Sequence, residues 1–181
     1  IRRPPRSTHC ISSAASDVYK RQHLLYASSS CIHNWWLSPY GISKKVNEET
    51  AFERQVGLRF TTVYGDGARE SMLIGKLLDG SIGYLTRHVR DFIHVDDVVE
   101  AIILLMSKDI RLLKPAYDIG TGKGNVVEAL GKLTGWEGIE VTDGDPCEAQ
   151  DNTADITELE KLGWKPTIDV EEYLISKTVP H

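Results

Sequence analysis

Long apolar runs are missing from this chain of 181 residues. None approaches the roughly 18 residues that a helix needs to cross a bilayer. The longest, Val98 to Met106, is interrupted by Glu100 and reads as a buried helix, so no membrane partner is expected. Cysteine is scarce. Cys10, Cys31 and Cys147 are odd in number and lack metal-ligand spacing. That argues against a disulfide scaffold and for a reducing, cytoplasmic compartment. Positive charge is in deficit too, with a net charge of -5. Arg2, Arg3, Arg6, Lys20 and Arg21 stand against Asp17 alone in residues 1–22, which leaves -9 on the rest. An acidic body argues against a nucleic-acid partner. Internal repeats are absent. What remains, 41% hydrophobic and 26% charged, is ordinary for one globular domain with a real core.

Residues 1–22 show neither helical nor strand periodicity. They are similar to peptides produced when sequencing-adapter DNA is translated by accident, and are expected to be an artefact. A basic disordered tail and a transit peptide are the competing readings.

The most informative segment is Tyr40-Gly41-Ile42-Ser43-Lys44, which follows an apolar strand ending in serines, His23 to Ser30. Residues four apart on a helix share one face, so Tyr40 and Lys44 point the same way. A lysine ammonium beside a phenol favours the phenolate, and a tyrosine so tuned can exchange protons near neutral pH. A serine from the preceding strand end could hold the oxygen that gains or loses the proton. Trp35 and Trp36, in the link between strand and helix, either wall such a site or merely pack.

The strand with its serines, Ser38-Pro39-Tyr40-Gly41-Ile42-Ser43-Lys44 and Gly57 to Gly65 together resemble an extended short-chain dehydrogenase/reductase. More narrowly, the chain resembles the NAD-dependent nucleotide-sugar epimerase/dehydratase family. Arg90 to Val99, Tyr117 to Gly122 and Leu162 to Pro166 follow in the family's order, so the likeness covers roughly residues 23–175. It implies an α/β fold: the second part of a Rossmann-type parallel sheet with a smaller substrate-binding α/β lobe. It also implies an isomerase that uses NAD and a nucleotide-sugar substrate, and passes through a transient keto sugar. In that scheme Ser29, Tyr40 and Lys44 are catalytic, and Ser28, Tyr40 and Lys44 face the cofactor. Thr62 and Arg90 face the substrate diphosphate, for which a guanidinium fork is chemically suited. Relatives often form a homodimer through the helix carrying the Tyr-Lys pair.

Three departures limit the likeness. The glycine-rich dinucleotide turn is not found, and Gly120-Thr121-Gly122-Lys123-Gly124 has the wrong spacing to replace it. Residues 23–175 are therefore expected to be the C-terminal portion of such a domain, inactive alone, with 176–181 a tail. Thr62 stands where many relatives carry asparagine, and Asp145 to Asp151 lacks a second arginine common there. The family's dehydratases carry Asp and Glu after the catalytic hydroxyl, where this chain has Ser30 and Cys31. A dehydratase or reductase on the same scaffold remains the alternative reaction, and a non-catalytic binding module the alternative class.

The periodicity predicts a strand at His23–Ala27 and a helix over Pro39–Gln55 closed by Gly57. A strand at Leu58–Val63 and a helix at Ser71–Leu78 follow, then a short strand at Tyr84–Thr86. Asp96 and Asp97 are expected to cap and open the helix Val98–Met106, a better use than metal ligation with His94, so no metal is expected. Tyr117–Ile119 and Glu140–Thr142 read as strands. Val126–Thr134, Ile156–Leu162 and Val170–Lys177 read as helices.

Overall fold

The computed structural model describes residues 24–178, so the readings made for residues 1–22 and for His23 lie outside the described residues. Strand β1 (Leu24–Ser29) leads through a 3₁₀ segment (Ser30–Leu37) into helix α1 (Pro39–Glu49), and then β2 (Gln55–Phe60). β1 and β2 are parallel, with Leu24 opposite Gln55 and Ser29 opposite Phe60. β6 (Ala116–Ile119) adds to the far side of β2, also parallel. Such a β-α-β unit needs apolar strands covered on both faces. Val56 and Leu58 are buried on one face under helix α3 (Val95–Ser107), which contributes Val98, Ala101 and Leu105 to the same core. Arg59 turns to the opposite face, where α1 lies.

A second sheet begins one residue later. β3 (Thr62–Tyr64) pairs in parallel with β5 (Val89–His94), and β5 pairs antiparallel with β7 (Gly124–Val126). Thr61, between β2 and β3, keeps both its N–H and its hydroxyl on the Ile119 carbonyl, at 3.1 and 3.2 Å. A small parallel pair, β4 (Leu85–Thr86) with β8 (Val141–Thr142), completes the lobe. Helices α2 (Leu73–Asp79), α4 (Val127–Leu133) and α6 (Val170–Thr178) close it around Ile74, Leu77, Phe92, Leu130 and Leu174. The short helix α5 (Thr157–Lys161) instead supplies Leu159 to the first core. The mixed α/β architecture with parallel strands is the fold class expected from the sequence.

Several boundaries differ. α1 stops at Glu49, and Gly57 sits inside β2 rather than at a helix end. A Cβ there would lie 2.9 Å from the Tyr26 hydroxyl, so the glycine admits the Tyr26 side chain. The N-cap of α3 is His94, whose Nδ1 accepts from the Asp96 N–H at 3.2 Å; Asp96 is only a first-turn residue. The Asp97 carboxylate instead accepts from the Thr167 N–H and hydroxyl and from the Ile168 N–H. It thereby pins the segment before α6. α6 itself runs to Thr178, past the expected boundary at 175.

β5 carries the interaction that holds the second sheet together. Asp91 is completely buried. Its carboxylate accepts from the Thr121 N–H and hydroxyl (2.8 and 2.7 Å), the Gly122 N–H (2.9 Å) and the Ala154 N–H (3.1 Å). Replacing Asp91 with alanine leaves three N–H donors without their acceptor; that of Ala154 is buried, those of Thr121 and Gly122 lie nearer solvent, and an unsatisfied buried donor costs about 1–3 kcal/mol. We expect Asp91→Ala to lower stability by about 1–3 kcal/mol, and Asp91→Asn by less. Urea midpoints decide it: a shift within error for Asp91→Ala would remove Asp91 from this role.

Candidate active site

α1 starts where the sequence dictates. Ser38 accepts from the Gly41 N–H at 3.0 Å, and Pro39 occupies the first helical position, where its missing N–H costs nothing. Gly41 is required by packing, since a Cβ would lie 2.7 Å from the Trp35 carbonyl oxygen. The 3₁₀ segment is thereby seated on α1, which fixes the link between β1 and the helix. Trp35 and Trp36 meet edge to face at 6.0 Å, and Trp36 is largely exposed.

Tyr40 and Lys44 share one face of α1. The Lys44 ammonium donates to the Ala27 carbonyl at 3.0 Å and lies 5.4 Å from the centre of the Tyr40 ring. The phenol is 53% exposed and lines a cleft of about 560 Å³ with Thr62, Tyr64, Gly65, Met72 and Val95. Ser29 sits at the strand end and is buried; its oxygen accepts from the Cys31 N–H at 3.3 Å, and it is not among the residues lining that cleft. Ser28 is buried as well and donates to Glu48 at 2.6 Å.

Glu48 anchors the base of this arrangement. Arg59 grips it through two nitrogens, Nε to Oε1 at 2.9 Å and Nη2 to Oε2 at 2.7 Å. Burial pushes the Glu48 carboxyl up, but hydrogen bonds from Arg59 and Ser28 outweigh it and hold the group below its usual value. His33, from the 3₁₀ segment, reaches Asp118 on β6 at 2.9 Å.

A second, larger cavity of about 1020 Å³ adjoins the first, and Thr62 and Met72 line both. Arg90 is in its wall, one strand position from Asp91 and so on the opposite side. Its guanidinium is engaged, donating to the Ala149 carbonyl at 2.6 Å and to Glu148 at 2.8 Å. His88 is fully buried beside it, and burial first, then the Arg90 charge, lowers its proton affinity. Thus Tyr40 borders the smaller space, Arg90 the larger one and Thr62 both, while Ser28 and Ser29 are turned into hydrogen bonds of the scaffold. Sequence reasoning missed Glu148, Glu48 and His33, and only Glu48, eight residues after Tyr40 on the same helix face, carried a local signal.

No group of His, Cys, Asp and Glu among the described residues could hold a metal ion. For a dinucleotide, the hydroxyl of exposed Tyr40 and the ammonium of half-buried Lys44, both on α1, offer groups suited to a ribose. A pyrophosphate cradle is another matter. Gly120 to Gly124 leads into β7 rather than a helix, and a Cβ on Gly120 would lie 2.6 Å from the Ala154 Cβ. Those glycines serve close packing within the protein.

Residues 11–120 match the NAD dependent epimerase/dehydratase family, and the chain belongs to it. The matched span begins inside the 1–22 stretch. A putative UDP-glucose 4-epimerase of Methanocaldococcus jannaschii is 32% identical over 159 residues, 75% of this chain and 50% of that protein. The chain spans about half the length of the curated relatives it matches. Among solved structures, Thermotoga maritima UDP-glucose 4-epimerase with UDP-glucose is 26% identical with a TM-score of 0.71, covering 91% of this chain and 64% of that one. Bordetella bronchiseptica WbmG in complex with NAD has a TM-score of 0.77 at 19% identity, over 92% of this chain and 61% of that one, a likeness of fold. No described helix is long and apolar enough to cross a membrane.

The His33–Asp118 pair yields a pH prediction. The hydrogen bond to Asp118 is the main cause that raises the proton affinity of His33 above the usual imidazole value. A raised folded value means stabilisation that is complete below the unfolded value of about 6.5 and lost as pH climbs through the folded one. Urea midpoints of His33→Gln and the unaltered protein should therefore differ at pH 5.5 and converge at pH 8.5. An equal gap at both would show that the charge of His33 plays no part.

Proposed function

We propose that this chain carries the proton-transfer residues and the anion-binding wall of an NAD-dependent nucleotide-sugar epimerase. One observation carries the reading: exposed Tyr40, with Lys44 one turn below it, lines a cleft that shares Thr62 and Met72 with the wall of the Arg90 cavity. A sugar at Tyr40 and a diphosphate toward Arg90 match the order of chemistry across these two neighbouring spaces. The family membership supports the same assignment.

Tyr40, as phenolate, takes the proton of a sugar hydroxyl, and Lys44, tethered to the Ala27 carbonyl, stabilises the negative oxygen and faces the nicotinamide ribose. NAD, when bound, supplies the hydride acceptor. Ser29 is proposed to hold the reacting oxygen by donating its hydroxyl proton, while its oxygen continues to accept from the Cys31 N–H. Ser28, committed to Glu48, acts on the cofactor only by holding α1 in place. Thr62 positions the substrate at the junction of the two spaces. Exposed Ile42 and Val46 on α1 support pairing of two copies along that helix.

Water elimination needs an acid for the leaving hydroxyl and a base for the neighbouring proton. Ser30 and Cys31 offer neither carboxyl, and this favours epimerisation over dehydration.

The test uses the protein expressed from its complete reading frame, supplied with NAD and UDP-glucose. An isomer of unchanged mass is expected by mass spectrometry. A product lighter by one water would make it a dehydratase. Tyr40→Phe should reduce turnover at least about 100-fold, the usual scale of a lost general acid-base group, with KM little changed. An active Tyr40→Phe enzyme would refute the proton-transfer assignment.

A further inference from the structure

The wall of the larger cavity carries more negative than positive side chains. Lys76 and Arg90 face it, against Glu140, Asp145 and Glu148. His88 adds no cation at neutral pH, since burial and the Arg90 charge lower its proton affinity. The Gln150 amide nitrogen lies 3.1 Å from His88 Nε2 and donates to it, leaving the ring proton on Nδ1, toward Glu148. Arg90 is the cation best placed for a diphosphate, with its side chain only 14% exposed, and one arm of its fork is already spent on Glu148. Its other nitrogen donates to the Val89 and Ala149 carbonyls, which locks the guanidinium in place. Arg90 cannot turn away, whereas Glu148 is 60% exposed and free to swing into water. A diphosphate entering this cavity meets a carboxylate already seated on its partner.

We infer that Glu148 is a specificity-determining residue of this site, an internal anion that competes with the substrate's phosphates for Arg90. This rests on the nucleotide-sugar reading above. The carboxylate must leave the guanidinium before a phosphate oxygen can take its place, so affinity for nucleoside diphosphates is set below what Arg90 alone would give. Ligands without a charge at this position do not feel the competition. Glu148 thereby lowers affinity selectively for the charged part of the ligand, and leaves recognition of the base and sugar untouched.

The experiment is calorimetry on the full chain with UDP, and with uridine as a phosphate-free control. Four proteins are compared: unaltered, Glu148→Gln, Arg90→Lys and the double variant. Glutamine preserves shape and can still accept a bond from Arg90, so only the charge is removed. Glu148→Gln should bind UDP about three- to tenfold more tightly, the scale of one partly exposed charge pair. Uridine binding should not change. In the Arg90→Lys background, which lacks the fork that Glu148 occupies, the gain should shrink or vanish. Folding of each variant is checked by its urea midpoint, and Glu148→Gln, at an exposed position, is expected to match the unaltered chain. If UDP binds the unaltered chain and weakens with Arg90→Lys but is unmoved by Glu148→Gln, the competition is refuted and the nucleotide reading survives. An equal gain in both arginine backgrounds also refutes it, since it would mean general charge repulsion. If no protein of the four binds UDP, both readings fall.

Discussion

Everything in the second sheet hangs on one carboxylate. Asp91 is buried with no cationic partner among the described residues, and it is tolerated there because four donors converge on its two oxygens. Charge-assisted bonds of that kind are roughly twice as strong as neutral ones. An ionised group in such a place would otherwise cost several kcal/mol. The donors come from the Thr121–Gly122 turn and from Ala154, far apart in sequence, so the bonds fix two chain segments relative to β5. Gly120 allows the close approach, because a Cβ there would lie 2.7 Å from the same carboxylate. Gly120 is thus explained by Asp91, whereas Gly122 adopts a positive φ and Gly124 packs against Thr153 and Val89.

Strand alternation then converts this structural lock into a functional position. Asp91 faces inward, so Arg90 faces the cavity, and His94, at the end of the same strand, caps α3. The break between β2 and β3 is a single residue, Thr61, held by the Ile119 carbonyl through both its donors. The carboxyl end of the first sheet, with Tyr40 nearby, is therefore set against the second lobe with little room for play. Ligands of open parallel sheets characteristically bind beyond the carboxyl ends of strands, and the two spaces meeting at Thr62 and Met72 lie in that region.

How much of this was legible depends on how local the cause is. The Tyr40–Lys44 spacing reads directly as one helix face, and the Ser38-Pro39 start follows from capping chemistry. β5 was not identified as a strand, because Val-Arg-Asp-Phe-Ile-His alternates charge with no simple apolar face; its Asp91 is buried only because partners 30 and 63 residues away satisfy it. Gly57 looked like a helix stop, and the space taken by Tyr26 was the real reason for it. Asp96 has the propensity of a cap, yet His94, two residues earlier, takes that place. The Glu148–Arg90 contact spans 58 residues, and no local pattern announces it.

One helix face ties the local and distant parts together. Tyr40, Lys44 and Glu48 follow one another at intervals of four along one side of α1, and the lower two reach β1. Glu48, at the base, is fixed by Ser28 and by the two-nitrogen grip of Arg59. Lys44, in the middle, is fixed by the Ala27 carbonyl. Tyr40, at the open end, has an exposed phenol and faces the cleft. Each rung below it removes a freedom that the tyrosine would otherwise have, because rotation or sliding of α1 would break a charge-assisted bond at Glu48 first. Proton transfer depends on placing one oxygen within a fraction of an ångström. An exposed tyrosine can meet that demand only when the helix beneath it is held as firmly as this one.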